Sequence, residues 1–140
     1  MAVTSTGSFP QAPKNGNVQI LPADASGLKT LYTGGVNGSK INAIIVTSTD
    51  TAARDVQWGI TVGAVFYILG TVAVPLTSGF INSAPAVNLL DLTKTPGLPL
   101  DSDGNPFVFL ASASYTLQVK ALTTVTAAKE LDFNAIAADW

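Results

Sequence analysis

The sequence predicts an all-β protein: a single-domain β-sandwich or jelly-roll-like barrel of about seven or eight short strands, preceded by an extended N-terminal arm. Three observations carry that expectation. Short apolar runs rich in Val, Ile, Thr and aromatic residues recur along the chain, several of them alternating with a period of two. Gly, Pro, Asn and Asp separate these runs at turn positions, and no stretch carries a helical period. A single flat sheet of such strands would leave an apolar face in water, so two packed faces or a closed barrel are required. The length of 140 residues suits one domain with one core.

The elements follow in order. Residues 1–27 form the arm: it contains Pro10, Pro13 and Pro22 together with Gly7, Gly16 and Gly27, and its sizeable apolar residues are Phe9, Val18, Ile20 and Leu21. Such a segment buries too little apolar surface to order itself alone. It is either a loose terminus or an arm that orders on a neighbouring subunit with Phe9 or Ile20 as anchors. Within it Val18 to Leu21 is a short strand candidate before Pro22. The domain proper, residues 28–140, opens with a strand from Leu28 to Tyr32 ahead of Gly34-Gly35. After the turn signal Asn37-Gly38 comes Ile41 to Thr47, apolar on both faces.

From Val56 to Leu90 there is no charge at all, and Trp58 to Leu76 approaches the length of a membrane-spanning helix. Gly59, Gly63, Gly70 and Pro75, the many β-branched residues and the lack of flanking Lys or Arg clusters instead predict a β-hairpin. Val56, Trp58, Ile60 and Val62 share one face of its first strand. Gly63-Ala64 is placed as a two-residue turn with positive φ at its first position. Phe66, Ile68, Val72 and Val74 are expected on one face of the returning strand and Val65, Tyr67, Leu69 and Thr71 on the other, both faces covered. Two Pro-, Gly-, Ser- and Asn-rich stretches, Leu76 to Pro85 and Asp91 to Pro106, read as surface loops. Phe107 to Leu110, Leu117 to Leu122 and Leu131 to Ile136 complete the strands, the last with Leu131, Phe133 and Ala135 inward.

Composition narrows function. Apolar residues make up 47% of the chain and charged ones only 11%, so the surface is left largely to small polar and apolar side chains, which suits lasting contact with other protein. Net charge is −2 and the seven basic residues are scattered, so no nucleic-acid partner is expected. Cysteine and histidine are both absent, which removes disulfides, the commonest soft-metal ligands and the commonest general base. Met1 to Ser8 has neither a basic nor an apolar signal region, so secretory export is not expected.

Candidate chemistry is sparse. Asp101-Ser102-Asp103-Gly104-Asn105 has the beginning of a calcium loop but no closing Glu, so an Asx-type turn before the Phe107 strand is the expectation, and no cofactor or metal is assigned. Arg54, the single arginine, stands beside Asp55 and reads as a structural or interface anchor through its planar fork. Serine lacks a partner base, and the scattered Asp residues sit mostly at turn signals, so no catalytic residues are assigned and the chain is read as a non-enzyme. Trp58 and Tyr67 as cross-strand neighbours would suit sugar stacking, although aromatics at alternating strand positions usually form core. Trp140, just beyond an alternating strand, is a contact candidate alongside Phe9, Ile20 and Arg54.

Several segments in order along most of the chain carry a resemblance. They include Asn17-Val18-Gln19-Ile20, Ala25 to Thr33, Asn37 to Ile41, Thr47 to Gln57, Leu69 to Val72, Pro85 to Leu90, Gly97-Leu98-Pro99, Asp103 to Pro106 and Leu122 to Lys129. In these the sequence resembles the small decoration (cement, or auxiliary head) proteins of tailed bacteriophages. The resemblance implies a β-sandwich seated on the outer surface of the virion's capsid, with the major capsid protein as partner, often as a homotrimer, made in the bacterial host cytoplasm and with no membrane association. A phage neck or tail component, or a glycan-binding module, has the same strand and turn signatures and is the alternative.

Overall fold

The computed structural model describes residue 10 and residues 12–140. Phe9, one of the expected contacts, lies outside the described residues. Nine strands follow in order: β1 (Ala12–Ile20), β2 (Lys29–Thr33), β3 (Ser39–Ser48), β4 (Arg54–Val62), β5 (Val65–Val74), β6 (Val87–Asn88), β7 (Val108–Leu110), β8 (Tyr115–Ala121) and β9 (Leu131–Asp139). The only helical element among the described residues is a 3-10 turn at Pro22–Asp24. Among the described residues no helix is long and apolar enough to cross a membrane, and the segment that rivalled one is the β4–β5 hairpin.

Two antiparallel sheets pack face to face. One has the order β1-β9-β3-β6, with β7 also on β3, and the other runs β2-β8-β4-β5. The result is the expected sandwich and not a closed barrel. Ile20, Ile41, Ile44, Val46, Leu131 and Phe133 from the first sheet meet Leu31, Val56, Trp58, Val74, Leu117 and Val119 from the second, all buried. Leu131, Phe133 and Ala135 point inward as the alternation predicts.

Residues 12–20 correct the picture of the arm. β1 pairs with β9 over its whole length, from Ala12 opposite Asp139 to Ile20 opposite Leu131, so this stretch belongs to the domain's own sheet. Ile20 is 0% exposed and serves the core of its own chain, not a contact with a neighbour. The reason is backbone pairing: nine residues of ladder compensate for few apolar side chains. Where β1 passes β2, Gly16 lies against the Leu31 carbonyl so closely that no Cβ fits, which seals that side of the sandwich.

Three bulges interrupt the period of two. On β3 the register against β9 shifts between Ile41 and Ala43, so Ile41 and Ile44 both face the core. On β2 it shifts between Thr30 and Tyr32. On β5, Trp58 stands opposite Gly70 but Gly59 opposite Ile68, which leaves Leu69 as the extra residue. Residues directly opposite share a face, so Val65 and Tyr67 side with Ile60 and Val62, while Phe66 and Ile68 turn outward. The expected grouping of Phe66 and Ile68 with Val72 and Val74 is therefore overturned by the bulge. β4 and β5 are joined by Gly63 (φ 56) and Ala64 (φ 64), positive at both positions and not only the first, as the right-handed twist of a two-residue hairpin demands.

β6 was not predicted. Its two residues pair with Ile45 and Val46, and the Asn88 side chain accepts hydrogen bonds from the Ile44 and Leu90 amides, doing in part what a longer strand would do. From there the chain closes the second side of the sandwich, burying Leu89, Leu90 and Leu98 and reaching β5, where the Thr95 hydroxyl donates to the Leu69 carbonyl. The stretch from Asp91 to Pro106 is thus partly a cover and not wholly a surface loop.

Candidate interaction surface

The strands present two ends. At one, Arg54 opens β4 and the loops at Asp50, Leu76 to Ser83 and Leu122 to Glu130 gather; at the other lie the Gly63-Ala64 turn, Ser39, Asp139 and Trp140.

At the first end Asp50 is 0% exposed. Its carboxylate accepts from Arg54 Nε at 2.6 Å, the Thr126 hydroxyl at 2.7 Å, the Thr126 amide at 3.1 Å and the Ala52 amide at 3.0 Å. Burial pushes this carboxyl up, but the guanidinium and the Thr126 and Ala52 donors outweigh it and hold it well below the usual carboxylate range. Arg54 also donates to Thr123 and Thr126, so it is an anchor within its own chain, and its ionic partner is Asp50 and not the adjacent Asp55. Backbone bonds from Thr77 N to the Asp50 carbonyl and from Ser48 N to the Ser78 carbonyl fasten the next loop to this centre.

That loop is internally tied. Gly79 N donates to the Ala84 carbonyl at 2.7 Å, Ser83 N to the Phe80 carbonyl at 3.2 Å, and the Thr77 and Ser83 hydroxyls lie 2.9 Å apart. Ser78 is buried, and Gly79, at φ 90, rests on the Thr47 methyl where a Cβ would stand 2.5 Å away. What the loop displays is apolar: Leu76 and Phe80 are half exposed and Ile81 is 90% exposed. Sequence reading placed this loop but not its apolar crest.

On the second sheet the outermost strand, β5, leaves Val65, Tyr67, Ile68 and Leu69 exposed, against the expectation that both its faces are covered. Trp58 is fully buried opposite Gly70, whereas Tyr67 is 57% exposed opposite Ile60, so the two do not form a stacking platform.

At the second end Trp140 is half buried. Its ring lies 5.5 Å from Phe109, which lies 4.8 Å edge-on from Phe107, and Lys40 Nζ sits 4.5 Å from the Phe107 centroid. Beside this cluster the Asp139 carboxylate accepts from Tyr32 Oη at 2.6 Å and from the Ser39 hydroxyl. Burial raises the Asp139 carboxyl, and the Ser39 and Tyr32 hydroxyls more than reverse that. Tyr32 in turn is pushed up to about 12, first by burial and then by the Asp139 charge it bonds to. Tyr32 belongs to the second sheet and Ser39 and Asp139 to the first, so this group ties the two sheets together.

The Asp101 carboxylate accepts from the Asp103 and Asn105 amides, which is the expected Asx turn, and those bonds hold its carboxyl below the ordinary range despite some opposing desolvation. On the outer face of the first sheet a shallow groove is lined by Asn17, Gln19, Lys29, Thr47, Asp132 and Asn134, with Asn17 bonded to Asn134 and Gln19 to Asp132. No protein-family model matches this chain, and no curated protein matches it.

Proposed function

We propose that this chain is a structural head-decoration (cement) protein of a tailed bacteriophage, one that attaches to the major capsid protein on the outer surface of the shell and stabilises it by contact, without catalysis. The observation that carries the reading is the rigid loop from Leu76 to Ser83. Its own hydrogen bonds and a buried salt-bridged centre hold Phe80 and Ile81 out in water. A β-branched residue held at positive φ (Thr77 at φ 47) beneath an exposed apolar crest supports the reading that another protein covers it. Because the loop is pre-ordered, little conformational entropy is lost on docking, and burial of the crest translates into affinity.

The test is direct. Purified empty shells should melt higher with the protein bound, and Phe80→Ser with Ile81→Ser should abolish attachment while leaving the β-sheet circular dichroism unchanged. Equal decoration by the double variant under competition would overturn the role of the crest. A glycan-binding module is the second reading, favoured by the amide- and carboxylate-lined groove of Asn17, Gln19, Asp132 and Asn134. Saturable glycan binding lost in Asn134→Ala, with no affinity for shells, would replace the first reading with the second.

A further inference from the structure

A sandwich of two open sheets has four edges, here β1 and β6–β7 on the first sheet and β2 and β5 on the second. β1 and β2 seal against each other at Gly16 and Leu31, and β1 further carries Pro13 and Lys14. The edge beyond β3 is broken into two very short strands, β6 of two residues and β7 of three, which offer little ladder to a partner. Among the described residues no strand pairs with the outer side of β5, and only the Leu69 carbonyl there is met, by Thr95. Among the described residues nothing pairs with the outer side of β5 from Val65 to Ile68.

Proteins ordinarily guard such an edge with lysine, proline or an inward charge, because its unpaired amides and carbonyls accept any strand, including that of an identical molecule. Here the guard is missing. Not one charged residue falls between Val56 and Leu90, and Val65, Tyr67 and Ile68 are exposed with Phe66 half buried between them. Like meets like without repulsion on a neutral apolar strand, whereas a charged partner strand would have to give up its hydration with nothing opposite to compensate.

We propose that the open half of β5 pairs antiparallel with the same strand of a second copy of this chain about a two-fold axis, joining two four-stranded sheets into one of eight. The geometry fixes the register. A two-fold axis normal to the sheet preserves faces, so only residues of like parity stand opposite one another. An axis through Tyr67 sets Tyr67 against its own copy and Phe66 against Ile68, and uses the open half without disturbing the Leu69 to Thr95 bond. Such a contact is isologous and stops at two. It departs from the trimer that the resemblance implies, which would need another surface.

The pairing is measured without any capsid, so its failure and that of the attachment reading are separate results. Sedimentation equilibrium of the intact protein should give the mass of a dimer. Tyr67→Lys puts like charges together on the axis and should weaken the dimer at least about a hundredfold, as does Tyr67→Glu, with circular dichroism unchanged. Mixing the two variants should restore a dimer, since only a residue that meets itself is rescued by its own opposite charge. Phe66→Glu mixed with Ile68→Lys repeats the test across the same axis if position 67 proves intolerant. A monomer or trimer by mass, or Lys and Glu variants that do not rescue each other, overturns the proposal.

Discussion

The two ends of the sandwich solve one problem by different chemistry. Both must join strands from the two sheets where the apolar core runs out, and both do it through a single aspartate. At the Asp50 end the carboxylate is wholly buried and answered by a full positive charge, Arg54, as well as by hydroxyl and amide donors. At the Asp139 end it is partly exposed and answered by the neutral hydroxyls of Tyr32 and Ser39. The difference teaches where rigidity matters. The charged centre also carries the backbone bond to Thr77, and so fixes the loop that displays Phe80 and Ile81. The neutral centre stands at the end of the Gly63-Ala64 turn, beyond which β5 lies open.

The largest expected effect breaks the first end. Asp50→Ala strands the Arg54 charge and the Thr126 and Ala52 amides, and should cost about 3–5 kcal/mol in urea unfolding. Asp139→Ala removes only neutral partners' acceptor and should cost about 1–3 kcal/mol. Adding Arg54→Met to Asp50→Ala should recover part of the loss, not all, because the two amides remain unanswered. Acid should act in the same order. The folded Asp50 and Asp139 carboxyls are both depressed, so each contributes stability above the ordinary carboxylate range near pH 4 that is lost as pH falls below it. The acid loss should be smaller in Asp50→Asn than in the parent.

Alkali should separate the ends cleanly. Tyr32 is raised from 10.0 to about 12, so the protonated hydroxyl is favoured in the folded state. Its contribution is complete below pH 10 and disappears as pH rises toward 12, up to roughly 2–3 kcal/mol. Tyr32→Phe should remove that alkaline fall while lowering stability near neutrality by about 1 kcal/mol. The Asp50 carboxylate, held below the usual carboxylate range, stays ionised throughout this window. Parallel alkaline unfolding curves for parent and variant would show that the tyrosine does not sit where it is placed.

Much of this was legible in the chain. Eight of the strands announce themselves through β-branched alternation bounded by turn residues, and Asn37-Gly38 and Gly63-Ala64 mark turns because few residues tolerate the backbone they need. What stayed hidden has particular causes. Bulges on β2, β3 and β5 reset the period of two, so faces counted from one end of β5 come out wrong past Leu69. Ala12 to Gly16 joins a sheet through backbone pairing, which leaves no signature in apolar side chains. Arg54 looked toward its neighbour Asp55, yet side chains of adjacent strand residues point to opposite faces, and the acceptor within reach is Asp50 in the preceding turn. The Tyr32 and Asp139 pair joins residues 107 positions apart, a distance across which composition carries no information.

The smallest expected effect sharpens the comparison at the neutral end. Ala64 holds φ 64 with nothing in the surrounding structure requiring a methyl group: the residue is exposed, and Gly63 beside it has open space where a Cβ would stand. An alanine forced into the left-handed region costs about 1–2 kcal/mol, because its Cβ crowds the carbonyl oxygen. Ala64→Gly relieves that strain but adds freedom to the unfolded chain, worth roughly 0.4–1 kcal/mol the other way. The net expectation is a gain of about 0.5–1 kcal/mol, read as a higher urea midpoint at unchanged slope. If strain at this turn were instead held for assembly, the variant would unfold later yet dimerise more weakly, since a freer turn no longer aims Val65 to Ile68 along the edge. A variant both more stable and equally dimeric assigns the positive φ of Ala64 to hairpin twist alone, and leaves the open edge, not the turn, as the feature that recruits the second copy.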